Sequence, residues 1–331
     1  MTVALLSKYS TFRVIFGSLN EIYIFFRATW IFVSGKKAEV KRDHYVPQMI
    51  LRNFAIDSET KKGLIYEYER GKSEPIDKSI SKKIACKPGF YLAKNKFTKR
   101  MDNMVDAWLN SFLETRCRIM FARFLTGQEE ILINNTELCF LAPFIANLYT
   151  RTPAFRAQLK HVIYHLLNIG KITIEDLGNK KKFAQILGGK EFEQYRIDSC
   201  SQKFQVDNTG IDNHLIVGAA LIAEGITERI FKKLVSVYEA LDGIDFIIND
   251  NPVRVVNDEN NLTWPDGWDL INKETLIFLP ISKKRCLVFS GESDKFRKIP
   301  VFKADNRFVE QINFYTIFFA EDYVYSGEKK C

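Results

Sequence analysis

Four side chains, far apart in the sequence, have the chemistry of a hydrolytic centre: His44, Glu114, Arg151 and Asp250. An imidazole can take a proton from water near neutral pH. Two carboxylates supply the oxygen ligands that a hard divalent cation requires, and a guanidinium can clamp a phosphate through two parallel hydrogen bonds. In a metal-dependent hydrolase acting on nucleic-acid phosphodiesters, His44 would serve as general base or metal ligand, Glu114 and Asp250 would hold the metal, and Arg151 would steady the phosphate. The same residues also fit a non-enzymatic module that binds nucleic acid or protein, with His44 and Arg52 pairing with Glu114 and Asp250 in a buried polar network. The second reading is preferred, since the hydrolase rests on bringing four residues from four segments into one site. Only the hydrolase reading brings in a cofactor, a divalent metal; the residues leave the cofactor otherwise open.

His44 belongs to the densest of these segments, Asp43-His44-Tyr45-Val46-Pro47-Gln48-Met49-Ile50-Leu51-Arg52-Asn53-Phe54. Pro47 drives Val46 toward extended backbone, so His44 is expected on a strand or turn that ends where a helical turn opens at Pro47. In that turn Met49, Ile50 and Phe54 can face inward while Arg52 and Asn53 stay polar. The pattern His-Tyr-Val-Pro-Gln followed by Leu-Arg-Asn-Phe resembles the opening signature of DUF4238, a family of unknown function. Three later pieces agree in order: Phe144-Ile145-Ala146 with Arg151-Thr152-Pro153, then Phe246 to Val253 with Asp250-Asn251-Pro252, then Ile277-Phe278-Leu279-Pro280-Ile281-Ser282. The resemblance runs from about residue 43 to 326. It implies a fold and a set of polar positions, not a reaction. It also implies that Asp106 and Glu114 fall near positions where the family tends to carry glutamate, Asp106 being the shorter acid.

Elements must hold these residues in place. Val105, Trp108, Leu109, Phe112, Leu113, Met120 and Phe124 recur at helical spacing and predict a helix over Met101–Leu125. Asp102, Asp106, Asn110 and Glu114 form a row beside that stripe; such a row could hold a cation, but periodicity alone makes it a solvated face. Thr136, after Asn134-Asn135, reads as the N-cap of a second helix with Leu138, Leu141, Ile145, Leu148 and Tyr149 inward. That helix leads to Arg151-Thr152-Pro153, where the proline kinks it or starts a new one. An arginine at such a junction more often pairs with terminal carbonyls or a structural carboxylate than with a ligand. His161 and His165 stand four apart, yet Val162 fills the place where a zincin carries its glutamate, and they read as ordinary helix-face residues.

Further on, Asn213–Ala240 reads as a long helix with Leu215, Ala219, Ile222, Ile226, Ile230, Leu234 and Val237 inward. Phe246–Ile248 reads as a short strand that delivers Asn249-Asp250-Asn251-Pro252, a sequence that is both a good turn and a way of lining a site. Gly63–Glu69 alternates as a strand and a second is expected around Ile76–Ile84. Thr275–Ile281 and Cys286–Ser290 read as a hairpin, and Val309–Tyr325 as a closing helix. The sum is an α+β fold: a small N-terminal β region, a mostly helical middle, and a C-terminal strand cluster closed by a helix. Residues 43–331 are taken as a single domain with a polar, lysine-rich insertion at about 170–213, and residues 1–42 as an amphipathic and linker extension.

Composition narrows the partners. The formal net charge of +8 favours an acidic partner such as nucleic acid, but several of the positive charges lie in residues 1–42 and at Lys329-Lys330. Ile22–Val33 is apolar and aromatic except for Arg27, about twelve residues against the roughly twenty of a membrane span, so no transmembrane segment is expected. Membrane-surface contact by residues 20–34 is the lesser alternative to a packed amphipathic segment. The six cysteines are scattered with no Cys-x-x-Cys pair and read as reduced thiols of a cytoplasmic protein. No Rossmann glycine fingerprint, Walker loop, nucleophile elbow or zinc-finger spacing is present, which disfavours the familiar cofactor enzymes.

Overall fold

Period-two burial builds two main sheets, and helical periodicity builds the elements between them. The structure, a computed structural model, describes residues 42–56, 63–91, 93–94, 101–102, 109–179, 182, 185–186, 212–241, 243–256, 275–291 and 298–329. The N-terminal part comprises β1 (Arg42–His44), a single turn α1 (Gln48–Leu51) continued by a 3-10 turn at Arg52–Phe54, β2 (Leu64–Glu69), β3 (Ile76–Ser79), the one-turn α2 (Ile80–Lys83) and β4 (Cys86–Pro88). Short strands β5 (Ala93–Lys94) and β6 (Met101–Asp102) pair with each other ahead of the helical middle. There a π-helical turn at Leu109–Glu114 runs into α3 (Thr115–Phe124), followed by β7 (Glu130–Leu132), α4 (Asn135–Thr150), α5 (Pro153–Asn168), α6 (Ile174–Gly178) and α7 (Asp212–Phe231). The C-terminal part comprises β8 (Leu234–Ala240), β9 (Ile248–Asn249), β10 (Arg254–Val256), β11 (Leu276–Pro280), β12 (Arg285–Ser290), β13 (Lys298–Ala304), α8 (Asn306–Phe318) and β14 (Tyr323–Ser326).

The larger sheet has six strands in the order β10-β11-β12-β8-β13-β7, with β8 and β13 parallel and every other pair antiparallel. The smaller has the order β3-β2-β14-β9, so the last strand of the chain lies between strands from both ends. β1 and β4 pair separately, with His44 opposite Cys86. α4 packs along α7 and α3, and one continuous apolar core runs from Tyr45 to Tyr325. The arrangement is α+β, as the sequence pattern predicts.

Several element boundaries differ from expectation, each for a local reason. Met101–Asp102 is a strand and not the first turn of a helix, because it hydrogen-bonds to Ala93–Lys94; Asp106 lies outside the described residues. The strand at Ile76 stops at Ser79 and gives way to the single turn α2. α4 is capped two residues earlier than Thr136: Asn134 and Glu137 form a capping box, each side chain accepting from the other's backbone N–H at 2.9 Å. The long helix from Asn213 ends at Phe231, and Leu234–Ala240 becomes the central strand β8. There Val235 and Val237 are buried, while Leu234, expected inward, is 42% exposed. The strand ahead of Asp250 is only Ile248–Asn249, and the closing helix stops at Phe318, leaving Tyr323–Ser326 to pair as β14.

None of the described thiols Cys86, Cys117, Cys139 and Cys286 is in a disulfide. Burial pushes those of Cys117, Cys139 and Cys286 above the usual thiol value, which keeps them protonated and poorly nucleophilic. No helix among the described residues is long and apolar enough to cross a membrane.

Candidate functional site

The residues around His44 are fixed by bonds to backbone groups. Tyr45 N–H donates to the Ala85 carbonyl at 3.0 Å, and the buried Asp43 carboxylate accepts from Tyr91 N–H at 2.9 Å. Ala85 reaches this position in the left-handed region, at φ 46°, where its Cβ is crowded. Ala85→Gly is therefore expected to raise the unfolding free energy by about 0.5 kcal/mol, the relief of strain exceeding the added chain entropy; urea denaturation measures this. Pro47 then opens α1, as its fixed φ favours.

His44 is half-buried, and its Nε2 lies 3.3 Å from the Ile80 carbonyl oxygen and 3.2 Å from the Gln48 amide nitrogen. One nitrogen cannot serve both in the same tautomer: protonated it donates to Ile80, bare it accepts from Gln48. Gln48 Oε1 in turn accepts from Arg52 Nη2 at 3.3 Å, so an exposed ladder of side chains climbs α1. Burial holds the His44 pKa below its ordinary 6.5, opposed by the Ile80 carbonyl and by the Glu114 charge. His44 is thus neutral at neutral pH. The stability tied to this neutral form is present above the unfolded value near 6.5 and is lost as pH falls through the depressed folded value. His44→Gln should shrink the loss of Tm between about pH 7.5 and about pH 5.5, where histidine charges; an equal loss in both proteins contradicts this.

Behind His44 lies Arg151, which closes α4 one residue before Thr152 caps α5 and Pro153 begins it. Its Nε donates to the Tyr45 carbonyl and its Nη1 to Glu114 Oε1, both at 2.9 Å. Arg151 is buried and the Glu114 side chain is only 12% exposed. Glu114 ends the π-helical turn, an i to i+5 widening that recurs at functional places in helices. One guanidinium thus ties the motif strand, this turn and the α4–α5 junction together.

The second cluster is organised by Asp250. Its carboxylate accepts from the backbone N–H of Glu321 at 3.0 Å, Asp322 at 2.7 Å and Tyr323 at 3.0 Å, while its own N–H donates to the Tyr323 carbonyl at 3.1 Å. The connection from α8 to β14 is wound around this one side chain. Asn249 Nδ2 donates to the Thr316 carbonyl at 2.6 Å, and Asn249 Oδ1 accepts from Asn251 N–H at 3.0 Å, an Asx turn. Arg254, buried at the start of β10, donates from Nη2 to the Phe319 carbonyl at 2.6 Å, with its guanidinium 5.2 Å from the Phe319 ring centre. Burial pushes the Asp250 carboxyl up against the pull of its three amide donors, and brings the Arg254 guanidinium down to about 9 against the attraction of Asp250. Arg254 stays charged at neutral pH.

Tyr45 joins the two clusters. Its carbonyl takes Arg151, while its phenol interacts with Asp250 and Tyr325; burial raises both phenols far above the usual value, so both keep their protons.

His44, Glu114 and Arg151 are therefore brought together, with Arg52 exposed at their outer edge. Asp250 and Asn251 belong to the neighbouring cluster. The expected pairing of His44 and Arg52 with Glu114 and Asp250 is replaced: Arg151 takes Glu114, and backbone amides take Asp250. Tyr45, Gln48 and Arg254 are the residues that spacing did not single out. Arg254 did leave a signal, a lone cation in the apolar run Val253 to Val256.

A divalent cation does not fit the described donors. Both Asp250 oxygens accept backbone N–H groups, Glu114 Oε1 is held by Arg151, and among the described residues no group of three or more His, Cys, Asp or Glu is placed to hold a metal ion. His161 and His165 both fall on α5, but the first is exposed and the second buried.

The fold and these clusters define a class: an α+β protein in which a buried arginine–glutamate pair and an Asn-Asp-Asn-Pro turn clamp segments from across the chain. Residues 42–330 match the family described as Protein of unknown function (DUF4238), and the chain belongs to that family. No curated protein and no solved structure matches it.

Proposed function

We propose that the chain is a non-enzymatic binding module for nucleic acid or protein, in which the motif residues hold the fold. The observation that carries this is the fork of Arg151, bonded at once to the Tyr45 carbonyl and to Glu114. A guanidinium spent on a structural carbonyl and a structural carboxylate is poorly free to grip a phosphate. Asp250 points the same way, with its carboxylate absorbed by three backbone amides.

The test is an assay of single- and double-stranded DNA and RNA with magnesium, manganese or chelator. No cleavage is expected under any condition. A nucleic-acid partner would reveal itself by binding whose affinity falls steeply with salt, and a protein partner by the absence of that slope.

A hydrolase has one observation on its side: His44, Glu114 and Arg151 lie close enough to influence one another's charge. Metal-dependent cleavage by wild type, abolished in a fully folded His44→Ala, would replace the binding reading.

A further inference from the structure

Among the described residues, two cations on adjoining turns are in no ion pair. Arg52 is exposed at the outer edge of the His44 cluster, and of its five N–H donors it uses one, on Gln48 Oε1 at 3.3 Å. Arg123, Arg151 and Arg285, by contrast, each face a carboxylate. Lys283, half-buried, belongs to the turn that joins β11 to β12.

Hydrogen bonds fasten the two turns together. Asn53 Nδ2 donates to the Ile281 carbonyl at 2.8 Å, and Lys283 N–H donates to the Asn53 carbonyl at 3.3 Å. That second bond and standard backbone lengths keep the Cα atoms of Arg52 and Lys283 within roughly 11 Å of each other.

Each cation is also held. Gln48 fixes the Arg52 guanidinium, and the Gln48 amide nitrogen lies 3.2 Å from His44 Nε2. Contacts between exposed side chains add little to stability, so the effect of this ladder is to orient the guanidinium before a ligand arrives. The Lys283 stem lies against Gly327: a Cβ there would overlap the lysine Cε and fall 2.8 Å from the Phe54 carbonyl oxygen. Neighbouring acids are engaged or offset. Asp245 precedes Phe246, whose N–H donates to the Lys283 carbonyl, and it pairs with Lys284 at 2.8 Å. Glu114 pairs with Arg151, and the tail beyond Gly327 carries Glu328 and Lys329, one charge of each sign.

We propose that Arg52 and Lys283 form a phosphate-contact site for a nucleic-acid backbone, with Gln48 as the positioning residue for Arg52. The inference rests on the binding-module reading and names its partner. A guanidinium with parallel N–H groups to spare and a nearby ammonium both match phosphate oxygens. A lone carboxylate on a partner protein meets one cation, whereas a strand with a charge about every 3.4 Å along the helix axis engages both.

The test is fluorescence anisotropy with labelled single- and double-stranded DNA and RNA over a series of salt concentrations. Wild type should bind, and Arg52→Ala/Lys283→Ala should weaken binding about thirtyfold at low salt and flatten the salt slope by about one to two. Gln48→Leu keeps both charges, so it should weaken binding about threefold with the slope unchanged. Arg118→Ala/Arg307→Ala removes two exposed charges from α3 and α8 and should leave affinity within about twofold. Melting checks that every variant is folded. Equal weakening by the two double variants overturns the site and leaves a nucleic-acid module that binds through diffuse charge. Absence of oligonucleotide binding by wild type, even if inorganic phosphate binds, overturns it too and leaves the module a protein partner. Metal-dependent cleavage would remove the module reading itself.

Discussion

Arg151→Ala is expected to lower the unfolding free energy by about 3–5 kcal/mol, the usual loss when one member of a buried ion pair is removed. The substitution leaves the mostly buried Glu114 without its cation and strips the Tyr45 carbonyl of its donor. It also removes the bonds by which one side chain ties the Tyr45 backbone and the π-helical turn to the α4–α5 junction. Arg151→Lys should recover little of the loss. An ammonium on a flexible stem cannot reach the carbonyl and the carboxylate at once, whereas the planar guanidinium addresses both from fixed directions. Urea denaturation of the three proteins measures this. A lysine variant as stable as wild type would mean that charge alone, and not the fork, is what Arg151 supplies.

Asp250→Ala should cost about 2–4 kcal/mol. Three backbone N–H groups, those of Glu321, Asp322 and Tyr323, lose their acceptor, each at a cost on the order of 1 kcal/mol or more where water cannot replace it. Glu321 and Asp322 are exposed and regain water in part, which caps the sum. The loss has a second component, because Arg254 is buried and keeps its charge with the help of Asp250. Asp250→Asn retains the shape and one acceptor oxygen but turns an amide nitrogen toward the N–H groups, so it should fall between wild type and alanine. The β14 strand lies directly after this connection, and it should exchange its amide hydrogens faster in the alanine variant, in step with the local loss of stability. Unchanged exchange in β14 would show that the three bonds are dispensable.

How much of this was legible in the sequence depends on how local the cause is. The strand at His44 and the helical turn after Pro47 follow from proline's effect on its two neighbours, and both occur. The break at Arg151-Thr152-Pro153 is local too, and the proline begins a helix as such a residue should. Leu234–Ala240 misled because Ile230, Leu234 and Val237 continue a helical spacing, while Val235 and Val237 satisfy a strand spacing equally well. Pairing with β12 and β13, distant in sequence, decides the outcome. Tyr323–Ser326 is a strand for the same reason, held between β2 and β9. The polar clusters were legible as residues and not as pairs. His44, Glu114 and Arg151 stand out in the sequence by residue type, but the partner of Glu114 is set by the packing of α4 against the π-helical turn. Arg254 meets a carbonyl at Phe319, and no spacing rule anticipates a bond to a backbone atom sixty-five residues away.

The central claim is that the motif residues are fastened to one another to hold the fold. A double-mutant cycle on Arg151 and Glu114 tests it most directly, with Arg151→Met, Glu114→Gln and the pair compared by urea denaturation. A coupling energy of about 2 kcal/mol or more is expected, with the pair less damaged than the sum of the single losses. Two single variants as stable as wild type, with coupling below about 0.5 kcal/mol, would contradict the account and return both side chains to the list of groups available for a ligand.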